Sequence, residues 1–425
     1  MKIFCSGIGG IGLSAYAAQQ VHRGHTVFGS DRSESALTQD LQSQGISFST
    51  KQDGSAIPAD CDLFVFSEAI PEDGPERMRA KNLGIRSISY FEALGELSKD
   101  SFVIAVCGTH GKSSTTAMVA KVLIDAGKDP TVVVGTKMRE LNGRNWRVGA
   151  SDIFVVEACE YRRSFHYISP DIVLMTNVDG DHFDAFSSIT EYQQAFVDFL
   201  KQLPADGVVI THGKDADCLK VADASGHKVL DADTFPSVAL AAPGEHMRQN
   251  AKLASALADH LHLDHTVVTE SLQSFSGTWR RMEVKGRIKN SITVIDDYAH
   301  HPVEIRATLA AMNEAYPNRR IVCVFQPHTH DRTIKLYDAF VSCFTDADVV
   351  IVPNIYVARS DIETSTVDID TFVSDITEKS HVQCMNGYDL LTTEKMLHET
   401  TLQPGDVLIT MGAGDITGLS ERMMG

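Results

Sequence analysis

The stretch SFVIAVCGTHGKSSTTAMVAKVLIDAG, Ser101–Gly127, decides the fold. It opens on a short apolar run, SFVIAVC, of the kind that forms a strand buried on both faces. It closes on AMVAKVLIDAG, which has a helical pattern. Between them lies GTHGKS, Gly108–Ser113, the compact end of a phosphate loop, G-x-x-G-K-[ST]. Glycines at such a turn let backbone N–H groups point at phosphate oxygens, and the following helix N-terminus adds partial positive charge. Lys112 is suited to the β- and γ-phosphates of a nucleotide, and the Ser113 hydroxyl to Mg²⁺. Gly108, Thr109, His110, Gly111, Lys112, Ser113 and Ser114 therefore form the expected nucleotide-phosphate-binding loop. The full Walker pattern has four residues between its glycines and this loop has two, so the strand before and the helix after carry much of the reading.

Outward from that unit, β-rich runs recur along the chain, each followed by a helical pattern. They are KIFCSG, HTVFGSD, CDLFVFS, FVIAVCG, TVVVG, DIFVVEA, DIVLMTN, GVVITHG, SITVIDD, RIVCVFQP, DVVIVPN and DVLITMGAG. Such alternation predicts α/β domains with parallel sheets. Ligands then sit at the carboxyl ends of the strands. Boundaries are expected near Leu97–Ser101 and near Gly277–Arg287, and no repeat or heptad run interrupts the pattern.

At 425 residues the chain has room for two or three domains. Its net charge of −18 disfavours a nucleic-acid partner, and an anionic substrate would need local cations. The eight cysteines show no CxxC spacing, which predicts reduced thiols in a cytoplasmic protein. The opening MKIFCSGIGG is cut by glycines, unlike a signal peptide, and no stretch has membrane-spanning length.

Several strand ends carry chemistry. Glu157 closes DIFVVE, and His182 lies in TNVDGDHFD just past DIVLMTN. With Ser113, phosphate oxygens and water they make a possible Mg²⁺ site, although histidine is an unusual ligand for that ion. A solvated strand-end carboxylate and a hydrogen-bonded turn histidine are the plainer alternatives. GIGGIGLSAYA, Gly7–Ala17, has the spacing of a dinucleotide-binding turn, with Asp31 loosely at the acidic position. That turn does not distinguish NAD from a nucleotide sugar. DDYAHHP (Asp296–Pro302) and FQPHTHDRT (Phe325–Thr333) hold four histidines, but nothing completes a tetrahedral zinc set at the usual spacings. Loops that close over a nucleotide and an acidic substrate, with Arg332 as the cation, fit better.

Taken together, GIGGIGLS, GTHGKSSTT, VVEACE, TNVDGDHFD, GEHMRQNA, GTWRRME, DDYAHHP, FQPHTHDRT and MGAGDI resemble the Mur ligase family, along the whole chain and in the family's order. The resemblance implies three α/β domains. Residues 1–98 would form a Rossmann-like UDP-binding domain, 99–278 a central P-loop ATPase-type domain with a parallel or mixed sheet, and 279–425 a Rossmann-like domain for the amino acid. It also implies ATP-dependent addition of L-alanine to UDP-N-acetylmuramate through an acyl phosphate, in peptidoglycan precursor synthesis, by a monomer or weak homodimer. Carried over by motif, Lys112, Glu157, His182 and Arg281 are catalytic, and Ser113, Glu157 and His182 hold the metal. Asn250, Arg281, Asp297 and His301 join the ATP site. Gly9, Gly10, Ile11, Asp31 and Ser67 face the UDP substrate, and Tyr298, His328 and Arg332 receive the amino acid.

Three departures stand out. EACEYR replaces the family's EADESD, so Cys159 and Arg162 stand where acids are usual. Met247 replaces the asparagine of GEHN, and Thr329 the arginine of PHR. The last removes a cation beside the incoming carboxylate. A ligase that joins a whole peptide to the same sugar nucleotide shares the scaffold and is the nearest alternative, although FQPHTHDRT favours the alanine-adding branch. A dehydrogenase leaves GTHGKS unexplained, and a silent nucleotide-binding regulator would lack Lys112, Glu157 or His182.

Overall fold

The computed structural model describes residues 1–181, 185–289, 291–357 and 366–425. Three sheets carry the fold. The first is all parallel, in the order Ser47–Ser49, Thr26–Ser30, Lys2–Ser6, Leu63–Phe66, Arg86–Ser89. The second runs Lys228–Asp231, Val208–Thr211, Ile172–Met175, Phe102–Cys107, Ile153–Glu157, Thr131–Met138, Arg144–Arg147, parallel except for its last pair. The third runs Glu283–Ile288, Ile292–Asp297, Val407–Met411, Ile321–Phe325, Val349–Val352, Gln383–Asn386, parallel except for its first pair.

Every run read as a strand in the sequence is an interior strand of one of these sheets, and the strands not anticipated are the edges. Burial explains the difference. Phe102–Cys107 and Val407–Met411 are buried along almost their whole length because helices cover both faces. The edge strand Arg86–Ser89 reads RSIS and its first half is exposed.

The chain divides into two compact units, residues 1–237 with 250–272 and residues 238–249 with 273–425. The first unit holds the first two sheets on one continuous core. Ile3, Leu13, Tyr16 and Leu94 pack in the same cluster as Val103, Val156, Phe165 and Phe196. Polar contacts reinforce the join. The fully buried Asn145, on the edge of the second sheet, donates to the Ile11 carbonyl at 2.5 Å. Arg144 pairs with Asp40 at 2.8 Å. Tyr90 lies so close to Gly12 that a Cβ there would stand 2.6 Å from its ring, so only glycine fits.

The second unit is built on the third sheet. Ile292, Val294, Val322, Val324, Ile351 and Leu408 form its core with Leu419 and Met423 of the helix Thr417–Met424. All eight cysteines are free, and six of them are buried. Among the described residues no helix is long and apolar enough to cross a membrane.

Candidate functional site

The loop Gly108–Ser113 leaves the carboxyl end of Phe102–Cys107, between the strands that end at Met175 and Glu157. Its shape depends on two glycines. Gly108 has φ +136° and Gly111 φ +81°, both in the region that favours glycine. Gly111 is the N-cap of the helix Lys112–Asp125, whose first turn is largely buried. The neighbouring strand end fixes the loop from outside. Asn177 accepts from Thr109 N at 3.0 Å through its carbonyl and from His110 N at 2.8 Å through its side chain. Thr176 Oγ1 donates to the His110 carbonyl at 2.5 Å, and Thr109 Oγ1 meets Tyr192 Oη at 2.9 Å.

Lys112 turns back over this loop. Its Nζ donates to the Gly108 carbonyl at 2.6 Å, the Thr109 carbonyl at 3.0 Å and Glu160 Oε1 at 3.0 Å. Burial works against the charged form, but the surrounding groups, Glu160 foremost with Cys159 and Glu157, together more than offset it, so the ammonium's pKa lies above its ordinary value. Ser113 Oγ donates to Glu157 Oε1 at 2.9 Å, and Gly135 N donates to Glu157 Oε2 at 2.6 Å. A Cβ at Gly135 would stand 2.8 Å from that carboxylate, so the strand Thr131–Met138 makes room for it. A hydroxyl and a carboxylate side by side are hard oxygen donors, which suits Mg²⁺. Among the described residues no cluster of three or more His, Cys, Asp or Glu side chains is arranged to hold a metal, and His182 lies outside the described residues. Asn250 comes to the same loop from the helix Glu245–His260, since a Cβ on Gly111 would stand 2.7 Å from its Oδ1.

In the first sheet, Gly9, Gly10 and Ile11 lie at the start of the helix Ile11–His22. Asp31, just past Thr26–Ser30, accepts from Gly9 N at 2.8 Å. Ser67 follows Leu63–Phe66, and a Cβ on Gly7 would stand 2.9 Å from its Cβ. These residues share the carboxyl edge of three adjacent strands, where the strand order reverses. Beside them, Glu76 is 1% exposed and accepts from Ser6 Oγ at 2.5 Å and Ser30 Oγ at 2.8 Å.

The second unit gathers its motifs at adjacent strand ends. Asp297, Met411 and Phe325 close neighbouring strands, so DDYAHHP, MGAGDI and FQPHTHDRT converge. Asp297 accepts from Met282 N and Ala299 N, each at 2.7 Å. Burial pushes its carboxyl up to about 6, against the pull of Arg281 and those two donors. Arg280, left-handed at φ 54°, is buried against Asp296 at 3.3 Å and donates to the Gly412 carbonyl at 2.5 Å. Arg281 stands 5.0 Å over the Tyr298 ring. His301 caps the helix Pro302–Ala315, with Val303 N donating to its Nδ1 at 3.4 Å. The rings of Tyr298, His300, His328 and Tyr356 form a chain of contacts 5.4 to 6.1 Å apart. Thr329 takes φ 66°, uncommon for a β-branched residue, and caps the helix His330–Lys335 that carries Arg332.

Lys112, Ser113, Glu157 and Asn250 thus come together in the first unit, while Arg281, Asp297, His301, Tyr298, His328 and Arg332 belong to the second. The sequence reading missed Glu160, Asn177 and Tyr192 around Lys112, and Arg280 beside Arg281. Glu160 had a signal, as the second acid of VVEACE three residues past the strand-end carboxylate.

Known proteins match this arrangement over its whole length. Three family models fit in order. The Mur ligase family catalytic domain covers residues 2–102, the Mur ligase middle domain 106–237 and the Mur ligase glutamate ligase domain 280–414. The UDP-N-acetylmuramate–L-alanine ligase of Clostridium novyi (strain NT) is 36% identical over 456 residues, covering 100% of this chain and 97% of that protein. The protein of that name from Clostridium perfringens (strain 13 / Type A) is 35% identical over 454 residues, covering 100% and 97%. The solved structure of the UDP-N-acetylmuramate–alanine ligase MurC from Thermotoga maritima has a TM-score of 0.82 at 30% identity, covering 100% of this chain and 98% of that one. A murein peptide ligase from Psychrobacter arcticus shares the fold, with a TM-score of 0.74 at 22% identity and coverage of 100% and 98%. With its full length matched at this level and its three sheets matched by three successive domain models, the chain belongs to the Mur ligase family.

Proposed function

We propose that this chain joins L-alanine to UDP-N-acetylmuramate at the expense of ATP, in the cytoplasm, as a step of peptidoglycan precursor synthesis. The observation that carries the reading is the full-length identity of 36% to ligases of that name. The phosphate loop with Ser113 and Glu157 in contact supports it chemically. On this reading residues 1–98 take the UDP moiety, 99–278 the nucleotide triphosphate, and 279–425 the amino acid.

A carboxylate is a poor acyl donor until one oxygen carries phosphate. The lactyl carboxylate attacks the γ-phosphorus, a P–O bond forms, and ADP leaves with the bridging oxygen. The alanine nitrogen then attacks the activated carbonyl carbon. A C–N bond forms, inorganic phosphate departs, and the nitrogen loses its extra protons to the surroundings. Lys112 supplies positive charge to the transferring phosphoryl group, and the Gly108–Ser114 backbone and helix N-terminus orient it. Ser113 and Glu157, with His182, would hold Mg²⁺, which when bound offsets charge on the phosphate oxygens. Asn250, Arg281, Asp297 and His301 are assigned to ATP, and Tyr298, His328 and Arg332 to the amino acid. Gly9, Gly10, Ile11, Asp31 and Ser67 are assigned to the UDP end.

The test is phosphate release from ATP with UDP-N-acetylmuramate and a panel of acceptors: L-alanine, glycine, L-serine and a tripeptide. Release should require both the sugar nucleotide and an acceptor, with L-alanine giving the highest kcat/KM. Release with the tripeptide but not with L-alanine would overturn the reading.

A further inference from the structure

A lysine ammonium has three N–H donors and no acceptor. In Lys112 they serve the Gly108 carbonyl, the Thr109 carbonyl and the Glu160 carboxylate. Glu160 Oε2 stands 3.0 Å from the same nitrogen, so both of its oxygens face the charge. The pair is withdrawn from solvent, with side-chain exposures of 15% for Lys112 and 1% for Glu160. A phosphate can gain a hydrogen bond from Lys112 only when one of these is given up. Two of the present acceptors are neutral carbonyls of the loop itself, and the third is a carboxylate.

The segment that places Glu160 is strained. It is followed by two consecutive left-handed residues, Arg162 at φ 49° and Arg163 at φ 59°, neither of them glycine. Such backbone persists only where its surroundings hold it, and it gathers at functional sites. The anchors are visible. Arg163 N donates to the Glu160 carbonyl at 2.8 Å, and the Arg163 side chain reaches Asp198 at 3.4 Å and Glu191 at 3.6 Å. The turn therefore fixes the backbone of Glu160, whose carboxylate bonds Lys112.

We propose that Glu160 is a positioning residue that holds the Lys112 ammonium inside the phosphate loop and surrenders it to the incoming phosphate, so that carboxylate and nucleotide compete for one lysine. The inference rests on reading the loop as a nucleotide site. It assigns Glu160 a role separate from that of Glu157, which faces Ser113 and Gly135 instead.

The experiment is calorimetric titration of the full chain with ADP, for wild type, Glu160→Gln, Lys112→Met and the double variant. Exchanging a charged acceptor for a neutral one should tighten ADP binding by about tenfold in Glu160→Gln, from the difference between charge-assisted and neutral hydrogen bonds. Lys112→Met should weaken binding, and adding Glu160→Gln to it should change affinity less than twofold. Glu160→Gln within twofold of wild type, or weaker, overturns the proposal. Equal tightening with and without Lys112 also overturns it, since that is the signature of a general charge effect. A purely structural role for Glu160 would not show this dependence on Lys112. Should Glu160→Gln fail to fold, Glu160→Asp is titrated in its place, where tightening supports the proposal and unchanged affinity overturns it. A wild-type chain that binds no ADP would overturn the nucleotide reading itself.

Discussion

Alanine at Gly108 would test the phosphate loop at its tightest point. Gly108 sits at φ +136°, where an L side chain is strained, at a cost of about 1–3 kcal/mol. Its new Cβ would stand 2.0 Å from Thr176 Oγ1 and 3.0 Å from both Asn177 N and Asn177 O. Thr176 is 4% exposed and its hydroxyl is bonded to the His110 carbonyl at 2.5 Å, so relief means losing that bond, about 1 kcal/mol. The sum is a destabilisation of about 2–4 kcal/mol. The chain has two tryptophans, Trp146 in the first unit and Trp279 in the second. In a Trp279→Phe background, fluorescence in a urea titration follows the first unit through Trp146. Gly108→Ala should lower that unit's stability by the stated amount and abolish ADP binding. Thr176→Ala should cost about 1 kcal/mol less in the Gly108→Ala background than alone, because the clash it relieves exists only there. A Gly108→Ala variant within about 0.5 kcal/mol of its parent would refute the reasoning, since ordinary surface substitutions fall in that range.

Other expectations follow from the same geometry. Glu157→Ala removes the carboxylate beside Ser113 and should shift the Mg²⁺ titration of phosphate release far more than UDP-sugar binding; an unchanged titration counts against the metal assignment. Arg332→Ala should raise KM for the amino acid and leave KM for ATP nearly alone, as measured by initial rates; the reverse pattern would assign Arg332 to the nucleotide. His246 is held down to about 4 by burial and by the charges of Arg248 and Arg281, against the pull of Glu304. The unfolded chain then binds a proton that the folded one refuses, so His246 costs stability as pH falls from 6.5 toward 4, by about 3 kcal/mol at most. His246→Gln in a Trp146→Phe background should flatten that part of the Trp279-detected stability profile, and an unchanged slope there would show that other groups carry it.

The interior strands were legible because parallel sheets covered on both faces force long apolar runs such as FVIAVC and VLITM. The edges were not. RNWR, KVLD and QCMN each pair with one neighbour only and carry polar residues that blunt the rim. A similar line divides the site. Lys112, Ser113 and Glu157 announce themselves by spacing and by their place at strand ends. Tyr192 reaches the loop from a distant segment and nothing local marks it, while Asn177 and Asn250 lie in the motifs TNVDGDHFD and GEHMRQNA, whose spacing does not say that they meet the loop. The compact units also resist sequence reading, because the join between the first two sheets rests on Asn145, Arg144 and Tyr90, none of which belongs to a motif.

That join acts as a calliper. The glycine turn after Lys2–Ser6 and the phosphate loop after Phe102–Cys107 ride on one core, and the buried Asn145 and the Tyr90 ring pressed on Gly12 set the gap between them. On the proposed reading, a donor that rests its nucleotide on one turn and presents its carboxylate at the other would be selected by its length.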